Sequence, residues 1–358
     1  MADLSEKNYS ALFQEKKKRF SDEFNHIELI DFFKSPYCGY RYRAEFSLIK
    51  KNGYTSLAMT KDGQKKEITS FPIANLRIQN LMESLIRFIN TNSIISDKLF
   101  QVEFQSSRTD DSLITLIYHK NLGSDWEQQA LEFASSENVS VIGRSKKQKI
   151  KIGNDYVKET YSYLNNTYPL FLFEQCFSQT NPYICDDMLN WVSENVEPSL
   201  EDVLELHCGL GTFTILLSRL FRKVLATENS RPSIKGLKQN LELNNSNNVY
   251  FARLSGQETL AALNQERSFN RLSAIDLNEF EFSSVFLDPP REGLDDKTLL
   301  NVKNFNQIIY ISCGFETFKR DMNYLEKTHE VKKLAMFDQF PYTDHIESGA
   351  ILVKKAPD

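Results

Sequence analysis

Residues 203–213 read Val203-Leu204-Glu205-Leu206-His207-Cys208-Gly209-Leu210-Gly211-Thr212-Phe213. A short apolar run is followed here by two glycines, and apolar positions at helical spacing continue over residues 212–221. Glycine allows the backbone to turn sharply and lets a ligand approach closely. The third glycine of a dinucleotide fingerprint is missing, because Thr214 stands at its position, and this disfavours NAD or FAD. The segment predicts a strand, a ligand-binding turn and a helix.

Strand and helix patterns continue to alternate on the C-terminal side of this segment. Short apolar runs that predict buried strands lie at residues 224–227, 284–287, 308–311 and 349–353, and a helix pattern lies near 232–244. Strands that alternate with helices predict a mainly parallel, doubly wound sheet of the α/β class. Such a sheet binds its ligands at the carboxyl ends of its strands.

The N-terminal side has a different pattern. Residues 1–35 predict a charged helical leader, and the turn signals Asn52-Gly53 and Asp62-Gly63 between alternating runs are typical of β-hairpins. Residues 99–104 and 112–118 form another candidate strand pair, and helical spacing at 76–89 and 126–134 predicts two helices. We therefore expect two domains: a helical leader with an antiparallel α+β domain over residues 1–165, and a doubly wound domain over 166–358.

The composition is that of a globular protein. The chain has 358 residues, of which 41% are hydrophobic and 25% charged, with a net charge of −5. These values exclude disordered, collagen-like and coiled-coil proteins. No apolar run approaches the roughly 20 residues that cross a bilayer, and the first residues contain no apolar secretory signal. We expect a cytoplasmic protein that binds no membrane.

The cysteines and histidines lack the spacing of a metal site. None of the five cysteines forms a C-x-x-C pair, and the five histidines form no H-x-x-x-H. We therefore expect no metal ion and no iron–sulfur cluster. Scattered cysteines in a chain without an export signal are typical of free thiols. They are Cys38, Cys176, Cys185, Cys208 and Cys313.

Three groups of basic residues are candidates for a local basic surface. The net negative charge disfavours non-specific binding of nucleic acid through bulk charge. Each group taken alone is typical of a solvated face. The groups are Lys16-Lys17-Lys18-Arg19, the pair Arg41 and Arg43, and the run over residues 144–151.

Several predicted strands end in a residue that can take part in chemistry. Glu228 ends the second strand, where an acid can accept hydrogen bonds from ribose hydroxyls. Asp288 opens Asp288-Pro289-Pro290-Arg291, in which two prolines fix an extended backbone that can hold a carboxylate beside a flat base. Cys313 follows the fourth strand and is better placed than the other cysteines to act as a nucleophile. Glu347 lies just before the last strand.

These motifs resemble, in order and spacing, those of the S-adenosylmethionine-dependent RNA uracil-5-methyltransferases, and within them the branch that acts on tRNA. The resemblance covers essentially the whole chain and extends to residues 41–46, 98–102, 118–120 and 337–343. It implies a Rossmann-like class I methyltransferase domain preceded by an α+β RNA-binding domain. The segments that carry it are Glu205-Leu206-His207-Cys208-Gly209-Leu210-Gly211, Asp288-Pro289-Pro290-Arg291, Ile311-Ser312-Cys313 and Phe340-Pro341-Tyr342-Thr343-Asp344-His345-Ile346-Glu347.

The resemblance also implies roles for individual residues. Cys313 matches the nucleophile and Glu347 the general base. Phe100 and His119 are implied to contact tRNA. Arg291 is a candidate for holding a phosphate or for orienting the carboxylate of Asp288. The implied substrate is a uracil of the tRNA T-loop, at position 54, and no obligatory protein partner is implied. The residues implied to surround S-adenosylmethionine are Gln179, His207, Gly209, Gly211, Thr212, Glu228 and Asp288.

The chemistry of uracil explains why a thiol and a base are needed. Carbon 5 of uracil is too weak a nucleophile to take a methyl group from a sulfonium unaided. A thiolate that adds to carbon 6 makes an enolate, whose negative charge reaches carbon 5. A base such as Glu347 must then remove the proton from carbon 5 before the thiol leaves.

Three positions depart from the pattern of the family that the chain resembles. Gly314-Phe315 follow the cysteine where Asn-Pro is usual, so the geometry of this loop can differ. Leu210 and Thr212 stand where asparagines are more usual, and only Thr212 can still donate a hydrogen bond. Ser348 stands where a cysteine often follows the base, which we regard as neutral.

Three alternative functions remain open. The ribosomal RNA uracil-5-methyltransferases typically carry a barrel domain and an iron–sulfur cysteine cluster, and this sequence has neither feature. An exocyclic-amine methyltransferase also uses an Asp-Pro-Pro motif, but its chemistry needs neither Cys313 nor Glu347. An RNA-binding folding factor, whose methyl transfer is secondary, would bind tRNA even when S-adenosylmethionine is removed.

Overall fold

The computed structural model describes residues 4–61 and 63–356, within which strands and helices alternate along the chain. The strands are β1 (Ile30–Phe33), β2 (Arg43–Lys51), β3 (Tyr54–Lys61), β4 (Gln64–Glu67), β5 (Leu99–Ser106), β6 (Ser112–Tyr118), β7 (Ser140–Ser145), β8 (Gln148–Ile152), β9 (Tyr156–Tyr163), β10 (Asn166–Phe173), β11 (Asp202–Leu206), β12 (Val224–Thr227), β13 (Val249–Ala252), β14 (Phe282–Leu287), β15 (Gln307–Ser312), β16 (His329–Phe337) and β17 (Glu347–Lys354).

The α-helices of the same residues are α1 (Glu6–Glu23), α2 (Leu76–Thr91), α3 (Ser93–Ser96), α4 (Ser124–Glu137), α5 (Pro182–Asn195), α6 (Thr212–Leu220), α7 (Arg231–Leu243), α8 (Gly256–Leu263), α9 (Asp296–Val302) and α10 (Phe315–Leu325). Two short 3-10 helices lie at Asn270–Leu272 and Leu277–Glu279. Across the described ranges, no helix has both the length and the apolar character that spanning a membrane requires.

Eight strands form the central sheet of the C-terminal half, in the order β1-β16-β17-β15-β14-β11-β12-β13. β17 runs antiparallel to both of its neighbours, β15 and β16. All the remaining pairs of neighbouring strands in this sheet are parallel. Because helices cover both faces of a parallel sheet, its strands are continuous apolar runs. The predicted doubly wound α/β fold is confirmed.

The two faces of this sheet bury different helices. Val203 and Leu204 are neighbours in β11, so their side chains point to opposite faces. Val203 belongs to a core cluster that includes apolar residues of α5, α6 and α7. Leu204 belongs to a second cluster with residues of α1, α8, α9 and α10. The loops at the carboxyl ends of the strands are therefore held between two packed helical layers.

The helical leader packs on this sheet, which differs from the expected grouping of residues 1–165. Tyr9, Phe13, Phe20 and Phe24 of α1 are buried in the same core cluster as α10. β1 extends the sheet as an edge strand parallel to β16. The sequence of an amphipathic helix shows that one face is buried, but it does not show which partner covers that face. For this reason the sequence did not reveal that the leader packs on the eight-stranded sheet.

The expected boundary at residue 165 falls within a β-hairpin. β9 pairs with β10 in a two-stranded antiparallel sheet, and Tyr163 lies opposite Asn166. Leu164 and Asn165, which form the turn, both have positive φ. The hairpin packs against α5 and α7 of the C-terminal half, so the chain has no extended linker at the expected position.

The remaining seven strands form a separate sheet in the order β4-β3-β2-β5-β6-β7-β8. The predicted hairpin between β2 and β3 is confirmed, with Asn52 (φ 50°) and Gly53 (φ 81°) at its turn. β3 also pairs with β4, although Asp62 of the second turn signal lies outside the described residues. β6 and β7 are parallel because α4 crosses over between them, and α2 and α4 cover one face of the sheet.

Two arginines fasten this sheet to the C-terminal half. Arg43 donates hydrogen bonds from its guanidinium to the carbonyl oxygens of Glu174 (2.8 Å) and Cys176 (2.6 Å). Arg108, after β5, pairs with Glu159 (3.1 Å) and with Asp186 of α5. Arg43 thereby ties the segment between β10 and α5, which contains Gln179, to the seven-stranded sheet.

Candidate active site

The carboxyl ends of four parallel strands meet at one edge of the eight-stranded sheet. The segments that follow β11, β12, β14 and β15 carry His207, Glu228, Asp288 and Cys313 respectively. β17 is antiparallel to β15, so its first residue, Glu347, lies at this same edge. The topology therefore brings together five side chains that are up to 140 positions apart in sequence.

The turn after β11 has an unusual backbone. His207 (φ 63°), Gly209 (φ 55°) and Gly211 (φ 91°) all have positive φ, which glycine adopts without strain. A Cβ atom at Gly211 would lie 2.5 Å from the Cδ1 atom of Leu237 in α7. Gly211 is therefore needed both for its conformation and for the close approach of α7, while Thr212 begins α6 directly after it.

Glu228 fixes the geometry between this turn and the end of β12. Its Oε2 atom accepts a hydrogen bond from the backbone N–H of Gly209 (3.1 Å), and its Oε1 atom accepts one from the N–H of Ser230 (2.6 Å). A carboxylate oxygen can accept more than one hydrogen bond. The oriented carboxylate can thus also accept hydrogen bonds from the hydroxyl groups of a ribose.

Two further carboxyl groups lie near Glu228. Burial raises the pKa of Glu205 to about 8, and the charges of Asp288 and Glu228 contribute to the shift. Burial also raises the pKa of Asp288 to about 7, with a contribution from the charge of Glu228. The Oε2 atom of Glu205 has no hydrogen-bond partner among residues 4–61 and 63–356. Such a cluster of acids is suited to a ligand that carries positive charge.

The sequence motifs assign no role to Glu205, although its position in an apolar strand marks it as unusual. It is the one charged residue within the apolar run Val203-Leu204-Glu205-Leu206. Its side chain is only 1% exposed. A carboxyl group is rarely buried in a central strand without a function or a partner.

Cys313 and Glu347 lie opposite each other across β15 and β17. Ser312 is paired with Ser348 in the antiparallel register, Cys313 follows Ser312, and Glu347 precedes Ser348. Glu347 is 3% exposed, whereas Cys313 is half-buried. The register thus places a thiol beside a buried carboxyl group.

The electrostatic surroundings of this pair are acidic. Burial, together with the charges of Glu347 and Asp288, raises the pKa of the Cys313 thiol to about 11, and Arg291 opposes this shift. Burial likewise raises the pKa of Glu347 to about 8, with a contribution from Asp288 and opposition from Arg291. Arg291 is thus the basic residue whose charge acts on both groups, although its side chain is exposed.

The unusual Gly314 has a steric explanation. A Cβ atom at this position would lie 2.6 Å from the carbonyl oxygen of Arg291 and would also overlap the hydroxyl of Thr317. The Thr317 hydroxyl donates to that same carbonyl (3.0 Å), which ties the loop after β14 to the start of α10. The departure from Asn-Pro therefore accompanies a close contact between the loops that carry Arg291 and Cys313.

Gln179 and His207 are held near this edge by different contacts. The Nε2 atom of Gln339 donates to the Oε1 atom of Gln179 (2.6 Å), so Gln179 is linked to the segment between β16 and Glu347. The ring of His207 lies against α8, where its Nε2 atom would be 3.5 Å from a Cβ atom at Gly256. Burial lowers the pKa of His207, which favours the neutral ring.

Phe100 and His119 form a separate site on the seven-stranded sheet. Their rings are stacked, with centroids 3.8 Å apart and an interplanar angle of 9°. Phe100 is the extra residue of a β-bulge between Leu99 and Gln101, and it lies outside the buried core cluster of the sheet. The structure therefore brings these two rings together on the seven-stranded sheet, whereas the strand-end site belongs to the eight-stranded sheet.

The described residues contain no group of three or more His, Cys, Asp and Glu side chains that could hold a metal ion. All five cysteines are free thiols. Cys176, Cys185 and Cys208 are buried, whereas Cys38 and Cys313 are half-buried.

The chain is similar to a known protein family along nearly its whole length. The family model for tRNA (uracil-5-)-methyltransferases matches residues 8–355. The tRNA/tmRNA (uracil-C(5))-methyltransferase of Aliarcobacter butzleri is 44% identical over 359 residues, which is 98% of this chain and 96% of the relative. The protein of the same name from Saccharophagus degradans is 42% identical and covers 97% of each chain.

A solved structure has the same fold. The tRNA (uracil-54, C5)-methyltransferase of Pyrococcus abyssi, in complex with S-adenosyl-L-homocysteine, superposes with a TM-score of 0.75 at 22% identity, over 96% of this chain and 83% of that chain. The similarity of fold agrees with the family match along nearly the whole sequence. This chain belongs to the tRNA (uracil-5-)-methyltransferase family.

Proposed function

We propose that this chain transfers a methyl group from S-adenosylmethionine to carbon 5 of a uracil in the T-loop of tRNA, at position 54. The observation that carries the proposal is the placement of Cys313 opposite Glu347 at the acid-lined edge of the sheet. The names of the relatives, which act on uracil of tRNA and tmRNA, support the substrate class.

The strand-end residues are suited to hold the methyl donor. S-adenosylmethionine supplies a methyl group on a positively charged sulfur, which keeps the electron pair of the broken bond and becomes a neutral thioether. Glu228 is oriented to accept hydrogen bonds from its ribose, and the buried acids Glu205 and Asp288 favour its positive charge. The other residues proposed to surround it are Gln179, His207, Gly209, Gly211 and Thr212.

Cys313 begins the reaction on the uracil ring. Its thiolate sulfur forms a bond to carbon 6, and the electrons of the C5–C6 double bond move toward O4 to give an enolate. The thiolate is needed because a neutral thiol is a poor nucleophile. The charge of Arg291 favours the thiolate, whereas Glu347 and Asp288 disfavour it while they are ionised.

Glu347 completes the reaction. The enolate carbon 5 takes the methyl group and then carries both a methyl group and a proton. The Glu347 carboxylate removes that proton, the C–H electrons restore the C5–C6 double bond, and the bond between carbon 6 and sulfur breaks. The raised pKa of Glu347 makes its carboxylate a stronger base than an exposed glutamate.

The stacked pair of Phe100 and His119 is suited to contact the RNA. A base within folded tRNA must leave its stack to reach Cys313, and the loop around it then exposes unstacked bases. Aromatic side chains bind such bases by stacking. Since the pair lies on the seven-stranded sheet, whereas Cys313 follows a strand of the eight-stranded sheet, it would bind nucleotides other than the target uracil.

Substitution of the thiol tests the proposal. Cys313→Ala is expected to abolish formation of 5-methyluracil in tRNA, measured by nucleoside mass spectrometry. Cys38→Ala is a matched control, because Cys38 is also half-buried but, unlike Cys313, does not directly follow a strand of the eight-stranded sheet. Full formation of 5-methyluracil by Cys313→Ala would refute the covalent mechanism. A wild-type protein that methylates an exocyclic amine of the RNA and forms no 5-methyluracil would favour an exocyclic-amine methyltransferase. Methylation of ribosomal RNA in preference to tRNA would instead favour the ribosomal branch.

A further inference from the structure

Lys16 is buried on a helix whose basic run is typical of a solvated face. Its side chain is 8% exposed, and its Nζ atom donates to the Oδ1 atom of Asp338 (2.6 Å) and to the carbonyl oxygen of Phe340 (3.0 Å). In α1, Lys16 falls on the same stripe as the buried residues Tyr9, Phe13 and Phe20. The spacing of this stripe is the sequence signal that separates Lys16 from the exposed lysines beside it.

Asp338 is held from two sides by the leader. Its Oδ2 atom accepts a hydrogen bond from the hydroxyl of Tyr9 (2.7 Å), while its Oδ1 atom accepts from Lys16. Asp338 is 1% exposed and directly follows β16. The leader therefore anchors Asp338, the first residue of the segment 338–346. We call this segment the base loop, because it leads directly to Glu347.

Residues of the N-terminal segment 4–61 make several of the hydrogen bonds to the base loop. The carbonyl oxygen of Pro341 accepts from the Tyr40 hydroxyl (3.2 Å), and the Tyr342 hydroxyl donates to the carbonyl of Tyr37 (2.8 Å). Arg19 of α1 reaches the carbonyl oxygen of Asp344 (3.4 Å). The leader and the segment that follows β1 thus hold the base loop at several points.

The same network continues to a residue proposed to bind the cofactor. The Tyr9 hydroxyl accepts from the N–H of Ser35 (3.0 Å), and the Ser35 hydroxyl accepts from the side-chain amide of Asn181 (2.8 Å). Gln339, next to Asp338, donates to Gln179 (2.6 Å). The leader is therefore connected to both sides of the site through buried hydrogen bonds.

We propose that Lys16 is a positioning residue for proton removal, because its bonds to Asp338 and Phe340 fix the base loop that aims Glu347 at carbon 5. This inference rests on the proposed function. An error of about 1 Å in the placement of a catalytic group can cost about a hundredfold in rate. A buried charge pair with additional hydrogen bonds holds one geometry more rigidly than apolar packing does.

The inference has a signature that general destabilisation lacks. Glu347 acts only after the methyl group has been transferred, so a misplaced base leaves the methylated uracil bound to Cys313. A variant with a misplaced base therefore accumulates the covalent enzyme–tRNA adduct while product release slows. Partial unfolding would instead lower the adduct and the product in the same proportion.

The test compares Lys16→Met with Lys18→Met in the full-length protein. Lys18 lies on the same helix, is 77% exposed and pairs only with Asp22 among the described residues, so it is a matched control. With tRNA and S-adenosylmethionine, we measure 5-methyluracil released, adduct on denaturing gels and tRNA affinity. For Lys16→Met we expect release to fall about tenfold to a hundredfold, the ratio of adduct to product to rise, and tRNA affinity to stay within about twofold. Lys18→Met should match the wild type.

A milder variant keeps the test decisive if Lys16→Met does not fold. Tyr9→Phe removes only the hydroxyl that contacts Asp338 and Ser35, and should change the ratio of adduct to product in the same direction. An unchanged ratio in folded Lys16→Met or Tyr9→Phe would overturn the inference. A wild-type protein that forms no adduct at all would overturn the proposed function itself, so the two failures are distinguishable.

Discussion

Cys313 and Glu347 occupy facing positions one step beyond the Ser312–Ser348 pair of two antiparallel strands. The reversed direction of β17 is what allows this, because it brings the beginning of one strand to the end of the other. A thiol and a carboxyl group are thereby brought together by strand register, and the sheet edge beside them carries the acids Glu205, Glu228 and Asp288.

Glu347→Gln should separate the two halves of the reaction. The amide keeps the shape of the side chain but cannot accept the proton from carbon 5, so the methylated adduct should accumulate. We expect release of 5-methyluracil to fall by about a hundredfold or more, measured by mass spectrometry beside a denaturing gel. Glu316→Gln, at a side chain that is 75% exposed on α10, should release product at the wild-type rate. Normal turnover by Glu347→Gln would exclude it as the base.

The buried acids should make the stability of the cofactor-free protein depend on pH. The pKa of Glu205 is raised from 4.5 to about 8, so between these values the folded protein retains a proton that the unfolded chain releases. This contribution to stability is fully present below about pH 4.5 and is lost as the pH rises through about 8. The raised pKa values of Asp288 and Glu347 act in the same direction.

We therefore expect Glu205→Gln to lose less thermal stability than the wild type between about pH 6 and about pH 9. The amide is neutral throughout, so it has no proton to release. Differential scanning calorimetry measures the midpoint of thermal unfolding of each protein at the two pH values. Glu201→Gln, at an exposed residue before β11, serves as the control. An identical pH dependence in Glu205→Gln and wild type would show that Glu205 does not retain a proton in the fold.

Gly314 should not tolerate a side chain. In Gly314→Ala, the new Cβ atom would lie 2.6 Å from the Arg291 carbonyl oxygen, so the loop after β14 must shift. We expect a loss of about 1–3 kcal/mol in the free energy of unfolding, measured by urea titration, and slower methylation. Thr317→Ala in the same chain should restore only part of this loss, because the carbonyl contact remains. Wild-type stability in Gly314→Ala would contradict the steric explanation.

The stacked pair should contribute to RNA binding without affecting the cofactor. Phe100→Ala should weaken tRNA binding by about fivefold to a hundredfold, the range that corresponds to about 1–3 kcal/mol per stacked base. His119→Ala should act through the same pair, so the double variant should lose less than the sum of the two effects. Filter binding measures the tRNA affinity, and Tyr54→Ala, at an aromatic residue of β3 that is 53% exposed, is the control. Unchanged affinity in Phe100→Ala would refute this role.

The sequence was informative where the signal is local. β12 begins and ends at the predicted residues, and β11, β14, β15 and β17 each contain the predicted run. Buried parallel strands are continuous apolar runs between turn signals, so both the strands and the residues at their ends could be predicted. The positions of Glu228, Asp288 and Cys313 after their strands follow from this pattern.

Long-range packing could not be predicted from these patterns. The spacing in α1 shows a buried face, but neither its partner sheet nor the role of Lys16 on that face. β1 and β16 were not predicted, and their pairing became visible only in the fold. The reversed direction of β17, which places Glu347 beside Cys313, is likewise a property of the whole sheet. The expected roles of Cys313 and Glu347 came from the family resemblance and not from local spacing.

The bond between Cys313 and the pyrimidine is tested most directly with tRNA that carries 5-fluorouracil. Fluorine cannot leave as a proton does, so the adduct cannot be resolved after methyl transfer. Incubation with S-adenosylmethionine, digestion and mass spectrometry should identify the peptide that contains Cys313 joined to a methylated fluorouracil nucleotide. Absence of any adduct while RNA and cofactor are both bound would contradict the covalent mechanism, and an adduct on a different cysteine such as Cys38 would contradict the role of Cys313.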